Sequence, residues 1–162
     1  MRLEGSCHCR AVQFSVESHS PAPFMHCHCS ICRKTAGSGG YGINLGADAS
    51  TLMVSGQADV AIYHAVLRES GRREKRSPAG RHFCRACGSA LWLWDPRWPE
   101  LVHPHASAID TPLPKPPEVF EMGLNWAPDW IDVPKRAGHV HFRFLPDESL
   151  EGWHKRQRLW SA

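Results

Sequence analysis

Seven cysteines gathered into three tight clusters constrain this chain more than any other feature. The clusters are Cys7-His8-Cys9, Cys27-His28-Cys29-Ser30-Ile31-Cys32 and Cys84-Arg85-Ala86-Cys87-Gly88. An odd count excludes a complete set of internal disulfides, and seven cysteines in 162 residues are far sparser than in a small secreted disulfide scaffold. Clustering argues against cysteines used merely as small buried apolar residues. A Cys-x-x-Cys pair can serve as a redox dithiol, but no alternation of strands and helices surrounds either pair here. Metal ligation is the reading that remains.

Side chains two apart on a strand share a face, so Cys7 and Cys9 can address one ion. Two cysteines with two residues between them meet on a tight turn, and Gly88 after Cys87 supplies the positive φ that such turns often need. Four thiolates about 2.3 Å from a tetrahedral Zn²⁺ make a closed structural site. Cys7, Cys9, Cys84 and Cys87 provide that number if the N-terminal strand lies beside the later turn. Cys27, Cys29 and Cys32 are then left as three ligands with an open fourth position, the pattern of a catalytic zinc that takes water or substrate. Two alternatives stay open. His26 or His28 can close the middle site, although on an extended segment both point away from Cys27 and Cys29. A single zinc can also be shared by two clusters, with the third idle.

The rest of the chain reads as mainly β. Val12, Phe14 and Val16 alternate with polar residues, as do Val60, Ile62 and Val66 within the stretch Ala58 to Val66. Leu91 to Trp94 is a short apolar run, expected to be a strand covered on both faces. Val140, Phe142 and Phe144 alternate with His139, His141 and Arg143 on the opposite side. Two short helices are expected, Ser30 to Ala36 and Ser149 to Trp160. In the second, Leu150, Trp153 and Trp160 form an apolar face with His154, Lys155, Arg156 and Arg158 around it. Pro96 to Pro117 carries seven prolines and reads as a long surface loop without helix or central strand. An apolar content of 42% supports a core. Lysine and arginine exceed the acids by 19 − 16 = +3, which supports neither nucleic-acid nor membrane binding, and no Cys₂His₂ finger spacing occurs. Met1 to Ser6 has no apolar stretch of signal-peptide length, and no apolar run reaches bilayer length. The expectation is a soluble cytoplasmic protein.

The order Gly5-Ser6-Cys7-His8-Cys9, Cys27-His28-Cys29-Ser30-Ile31-Cys32-Arg33-Lys34 and Arg81-His82-Phe83-Cys84-Arg85-Ala86-Cys87-Gly88 resembles the GFA domain. That family is named for glutathione-dependent formaldehyde-activating enzyme and includes centromere protein V-like members. The resemblance runs from Leu3 to about Pro134, where Trp130 in Ala127-Pro128-Asp129-Trp130 looks like the family's late tryptophan. It implies a single zinc-bound β-tent domain with short helices over residues 3–134. It also implies two zinc ions, a structural one on Cys7, Cys9, Cys84 and Cys87 and a catalytic one on Cys27, Cys29 and Cys32. The Pro-rich stretch is longer than the family pattern suggests. Residues 135–162 match no family motif; they are expected as a strand and tail helix packed on the domain or on a second subunit in a homodimer.

The implied activity is a carbon–sulfur lyase that joins a thiol such as glutathione to an aldehyde such as formaldehyde, or cleaves S-hydroxymethylglutathione. Three thiolates leave a zinc site at about −1, which weakens Lewis acidity and favours delivery of a substrate thiolate. Glutathione brings two carboxylates. Arg33 and Lys34, directly after the trio, either reach these or cover a solvated helix face. The run Arg68, Arg72, Arg73, Lys75 and Arg76, interrupted by Glu69 and Glu74, reads as a solvated hairpin tip. Tyr63 and His64 are expected to pack in the core, as are Trp92, Trp94 and Trp98. Trp126 and Trp130 either pack or floor the substrate site, and His103 and His105 can line a pocket. The alternative function is a non-catalytic zinc module of the same fold that binds a partner.

Overall fold

The computed structural model describes residues 1–68, 71 and 73–161. In chain order these form β1 (Arg2–Ser6), β2 (Gln13–Glu17), β3 (Met25–Cys27), α1 (Ser30–Ala36), β4 (Gly42–Ile43), β5 (Ala47–Asp48), β6 (Met53–Ser55), β7 (Val60–Leu67), β8 (Lys75–Cys84), β9 (Ala90–Trp94), β10 (Leu101–Pro104), β11 (Val119–Met122), β12 (His139–Phe142) and α2 (Leu150–Arg156). The fold is mainly β, with two short α-helices and three sheets. No helix among the described residues is long and apolar enough to cross a membrane.

Alternation of apolar and polar residues builds the first two sheets. Leu3, Phe14 and Val16 turn inward from β1 and β2, which pair antiparallel with Leu3 opposite Val16, and β6 extends the β2 edge. A five-stranded antiparallel sheet follows in the order β5-β10-β9-β8-β7. Leu45, Leu91, Trp92 and Val102 join the residues of the first sheet in one core. Each large apolar side chain buried there contributes about 1.5–3 kcal/mol. Cys7 and Cys84 belong to the same core, so one cysteine cluster is rooted in the main apolar cluster.

The third sheet carries the middle cysteines. Its order is β12-β11-β3-β4; β11 runs parallel to both neighbours, while β3 and β4 are antiparallel. β3 is therefore an interior strand, held in register by Glu121 opposite His26 and Met122 opposite Cys27. A second core of Ala22, Phe24, Phe120 and Trp153 lies beside it. The Trp153 ring stacks on Phe24 at 3.8 Å between centroids, and its Nε1 donates to Glu118 at 3.0 Å. Ser149 caps α2, accepting from the Gly152 N–H at 3.0 Å.

Several expectations are corrected. The Pro-rich stretch contains β10, an interior strand between β5 and β9. The prolines bound this strand instead of interrupting it: Pro99 precedes it and Pro104 ends it, accepting from the Leu45 N–H. The tail helix stops at Arg156, because Arg158 turns into the left-handed region (φ 58°) and the Leu159 N–H bonds back to the His154 carbonyl. Trp160 instead stacks on His19. His154, expected on the polar side, is 0% exposed. Its Nε2 accepts from the Ala22 N–H at 2.9 Å and its Nδ1 donates to the Leu150 carbonyl at 2.7 Å. Burial lowers its pKa and keeps it neutral.

In β12 the alternation sorts neither side cleanly: His139 is half-buried against Glu121 and Phe142 packs on the second core, while Val140, His141 and, beyond the strand, Phe144 are exposed. Tyr63 does not pack in the core but is 43% exposed, since β7 forms a sheet edge. His64 is half-buried, its Nδ1 3.1 Å from the Ser77 carbonyl. Trp92 is buried as expected and Trp94 half-buried, but Trp98, Trp126 and Trp130 are exposed. At the tip between β7 and β8, Arg68 and Glu74 form an exposed ion pair at 2.6 Å. Glu69 and Arg72 lie outside the described residues.

Candidate metal centres

Two cysteine groups come together, and they divide four and three. Cys7, Cys9, Cys84 and Cys87 place their sulfurs within 4.8 Å of one another, as do Cys27, Cys29 and Cys32. All seven are free thiols. In the first group the Cys7–Cys9 separation is 3.5 Å and the Cys9–Cys84 separation 3.8 Å. A tetrahedral zinc with bonds of about 2.3 Å requires sulfurs about 3.8 Å apart, so this donor set fits that ion.

Two turns aim these four sulfurs. After β1 the chain reverses with Arg10 in the left-handed region, and the Val12 N–H donates to Cys7 Sγ at 3.2 Å. After β8 the Gly88 N–H closes on the Cys84 carbonyl at 2.8 Å, which Gly88 permits through its φ of +76°. A hydrogen bond from Ser89, reinforced by the Cys9 and Ser89 backbone N–H groups, lowers Cys87 to about 5. A site with four sulfurs and two buried anchors, Cys7 and Cys84, is closed by its own protein ligands.

The three-cysteine group straddles the end of β3 and the first turn of α1. Cys29 caps the helix, its sulfur accepting from the Cys32 N–H at 3.4 Å. Cys27 and Cys32 are buried, and Cys29 is half-buried. Cys29 is held well below the ordinary thiol range by hydrogen bonds from Cys27 and Cys32 and by backbone N–H groups of the helix start. Cys27 is pushed far above that range, chiefly by its hydrogen bond to Cys29. Three sulfurs within 4.8 Å of one another could hold one cation, and soft sulfur donors suit zinc.

His26 and His28 do not close this group. Both turn to Glu121 on β11, with His26 Nδ1 at 3.1 Å and His28 Nε2 at 2.7 Å. His139 Nδ1 reaches the same carboxylate at 2.9 Å. Glu121 is 1% exposed. Burial raises its pKa, but the three imidazole donors outweigh that and hold it well below the usual carboxylate range. Tyr41 stacks on His26 at 4.1 Å, completing a layer behind the cysteine segment.

Other polar groups face the trio directly. Arg81 on β8 places Nη2 3.7 Å from Cys32 Sγ, and Asn44, just after β4, places Nδ2 at 3.9 Å. Neither stands out in the sequence as a site residue. Arg81 lies within the Arg81-His82-Phe83-Cys84 motif, but only the sheet topology shows which face of β8 meets the middle cluster. Glu121 carries a weak signal, an acid inside the apolar run Val119-Phe120-Glu121-Met122. His103 Nδ1 donates to the Leu45 carbonyl at 3.0 Å, and His105 is 2% exposed, lowered to about 4 by burial with the Arg81 charge second.

Arg33 and Lys34 lie on α1 just beyond Cys32, Arg33 half-buried and Lys34 exposed. Both line a cleft of about 680 Å³ between α1 and the four-cysteine loop, together with Ser6, His8, Arg10 and Ser107.

A family model described as glutathione-dependent formaldehyde-activating enzyme matches residues 2–122. The chain belongs to the GFA family. A Halomonas elongata protein that bears this family's name is 54% identical over 159 residues, covering 98% of each chain. A crystal structure of a Rhodobacter sphaeroides protein is 29% identical, with a TM-score of 0.51 over 70% of this chain and 92% of that one. The family match spans all three cysteine clusters, so the four-plus-three arrangement lies within the GFA region.

Proposed function

We propose that this GFA protein is a zinc-dependent carbon–sulfur lyase that forms and cleaves thiol–aldehyde adducts, with S-hydroxymethylglutathione as the adduct. The observation that carries this reading is the group Cys27, Cys29 and Cys32, whose neighbouring histidines are committed to Glu121. Three protein sulfurs leave a fourth position for a substrate sulfur. Cys27, Cys29 and Cys32 would hold the zinc, which would supply stabilisation of that sulfur as the nucleophilic thiolate. In the forming direction, the thiol loses its proton, its sulfur bonds the aldehyde carbon, and the carbonyl electron pair moves to oxygen, which takes up a proton. Cleavage reverses each change.

The chain's own residues hold and orient. Arg81 and Asn44 donate to Cys32 Sγ and fix its direction. Arg33 and Lys34, with Arg10 across the cleft, offer positive charge for the two carboxylates of glutathione. The four-cysteine site takes a second, structural zinc. Residues 3–134 then form the catalytic unit, and residues 135–162 brace it through His139 and Trp153. Seven reduced thiols suit a reducing compartment such as the cytoplasm.

The test is direct. Zinc-loaded protein should accelerate exchange among formaldehyde, glutathione and their adduct, measured by NMR line broadening or exchange spectroscopy. No acceleration across several thiols and aldehydes would leave the fold as a binding module.

A further inference from the structure

Arg81 and Asn44 each touch Cys32 with one polar atom and leave another buried with nothing to bond. Arg81 donates from Nη2 and leaves Nη1 without a partner. Asn44 donates from Nδ2 and leaves Oδ1 without one. The amide turns its N–H toward Cys32, and a sulfur that holds zinc would only accept. His105 adds a third such atom, Nδ1, and its backbone pairs with that of Asn44. It is 2% exposed, and no other side chain satisfies that nitrogen. A donor and an acceptor thus stand free on the Cys32 side of the trio, with a second buried nitrogen near them. Buried polar groups are ordinarily satisfied, so this arrangement suits a ligand atom that both accepts and donates.

A hydroxyl does both, and a hydroxymethyl thioether carries one a single carbon from its sulfur. We propose that Arg81 and Asn44, with His105 beside them, form an oxygen subsite that recognises the hydroxyl of a hydroxymethyl thioether whose sulfur occupies the open position at Cys27, Cys29 and Cys32. Arg81 Nη1–H donates to the hydroxyl oxygen, and the hydroxyl donates to Asn44 Oδ1. A thioether without the hydroxyl leaves both atoms unsatisfied, and a carbonyl oxygen satisfies Arg81 alone. The subsite rests on the lyase reading and gives it a specificity: the site tells the adduct from a plain thioether by oxygen as well as sulfur.

The experiment measures affinity, not turnover. Isothermal titration calorimetry on the zinc-loaded chain compares S-hydroxymethylglutathione, prepared from glutathione in excess formaldehyde, with S-methylglutathione. Wild type should prefer the hydroxymethyl ligand by about 10-fold or more, the value of one to two hydrogen bonds. Asn44→Ala and Arg81→Lys should each reduce this preference below about 3-fold, read as the ratio of the two ligands' affinities within the same zinc-loaded variant. Zinc content and the thermal transition confirm that each variant is folded and loaded. Equal affinities in wild type, or a zinc-loaded variant that keeps the full preference, would overturn the subsite while adduct exchange persists. Loss of the trio's zinc in both variants would assign Arg81 and Asn44 to holding Cys32 alone and would also overturn it. Absence of both binding and exchange in wild type would instead overturn the lyase reading.

Discussion

Cys84→Ser is expected to leave the chain unable to keep its fold, whereas Cys29→Ser should fold and retain one zinc. The two residues sit in different kinds of site. Cys84 is fully buried, belongs to the main core and joins the turn after β8 to the turn after β1. Zinc in a four-cysteine site contributes about 10–16 kcal/mol in small zinc-folded peptides. A whole domain is stable by about 5–15 kcal/mol, so weakening one such site can consume the entire margin. Cys29 is half-buried at a helix cap in a smaller cluster with Met122, and its serine retains an oxygen that can accept from the Cys32 N–H. Metal analysis and near-ultraviolet circular dichroism of the two purified variants check this. A folded Cys84→Ser protein with a wild-type melting temperature would contradict the assignment of the four-cysteine site to structure.

Glu121→Ala should cost about 3–5 kcal/mol, since three histidine donors in a buried layer lose their acceptor at about 1–3 kcal/mol each. The carboxylate accepts from His26, His28 and His139, two of which flank Cys27 and one of which belongs to the strand added after the Pro-rich region. Removing it strands three imidazole nitrogens in a buried layer and loosens β3 against β12. For a chain of this size the melting temperature should fall by roughly 10 °C. The trio should also release its zinc to a chelator faster than wild type, while the four-cysteine site holds. Glu121→Gln should lie between, since an amide offers one acceptor oxygen and turns an N–H toward at least one histidine donor. Chelator-exchange kinetics and thermal denaturation give both readings. Unchanged zinc release in Glu121→Ala would show that the histidine layer does not support the cysteine segment.

The cysteine spacing made the metal-binding geometry legible because it is local. Two-residue steps on strands and Cys-x-x-Cys turns aim sulfurs without reference to the rest of the chain, and the four-plus-three division follows from counting. The α1 helix was legible for the same reason, starting at the Cys29 cap and ending at Gly37. The histidines were not. His26 and His28 meet Glu121 only because β3 lies parallel to β11, a pairing across some ninety residues that no periodicity announces. His139 reaches the same carboxylate because β12 adds to that sheet, although its alternation places it on the side read as polar. The Pro-rich stretch hides β10 because seven prolines in total signal a loop, whereas their positions leave Leu101 to His103 free to pair. Arg81 and Asn44 became visible only once β8 and β4 were placed beside Cys32.

The central claim is that the three-cysteine group does the chemistry and the four-cysteine group holds the fold. Exchange spectroscopy on glutathione, formaldehyde and their adduct, run with wild type and with Cys29→Ser at equal concentration and with zinc content measured on the same samples, tests it most directly. Acceleration by wild type carrying two zinc ions, and its loss in a folded Cys29→Ser protein that keeps one, is the predicted result. Equal acceleration by both proteins would contradict it.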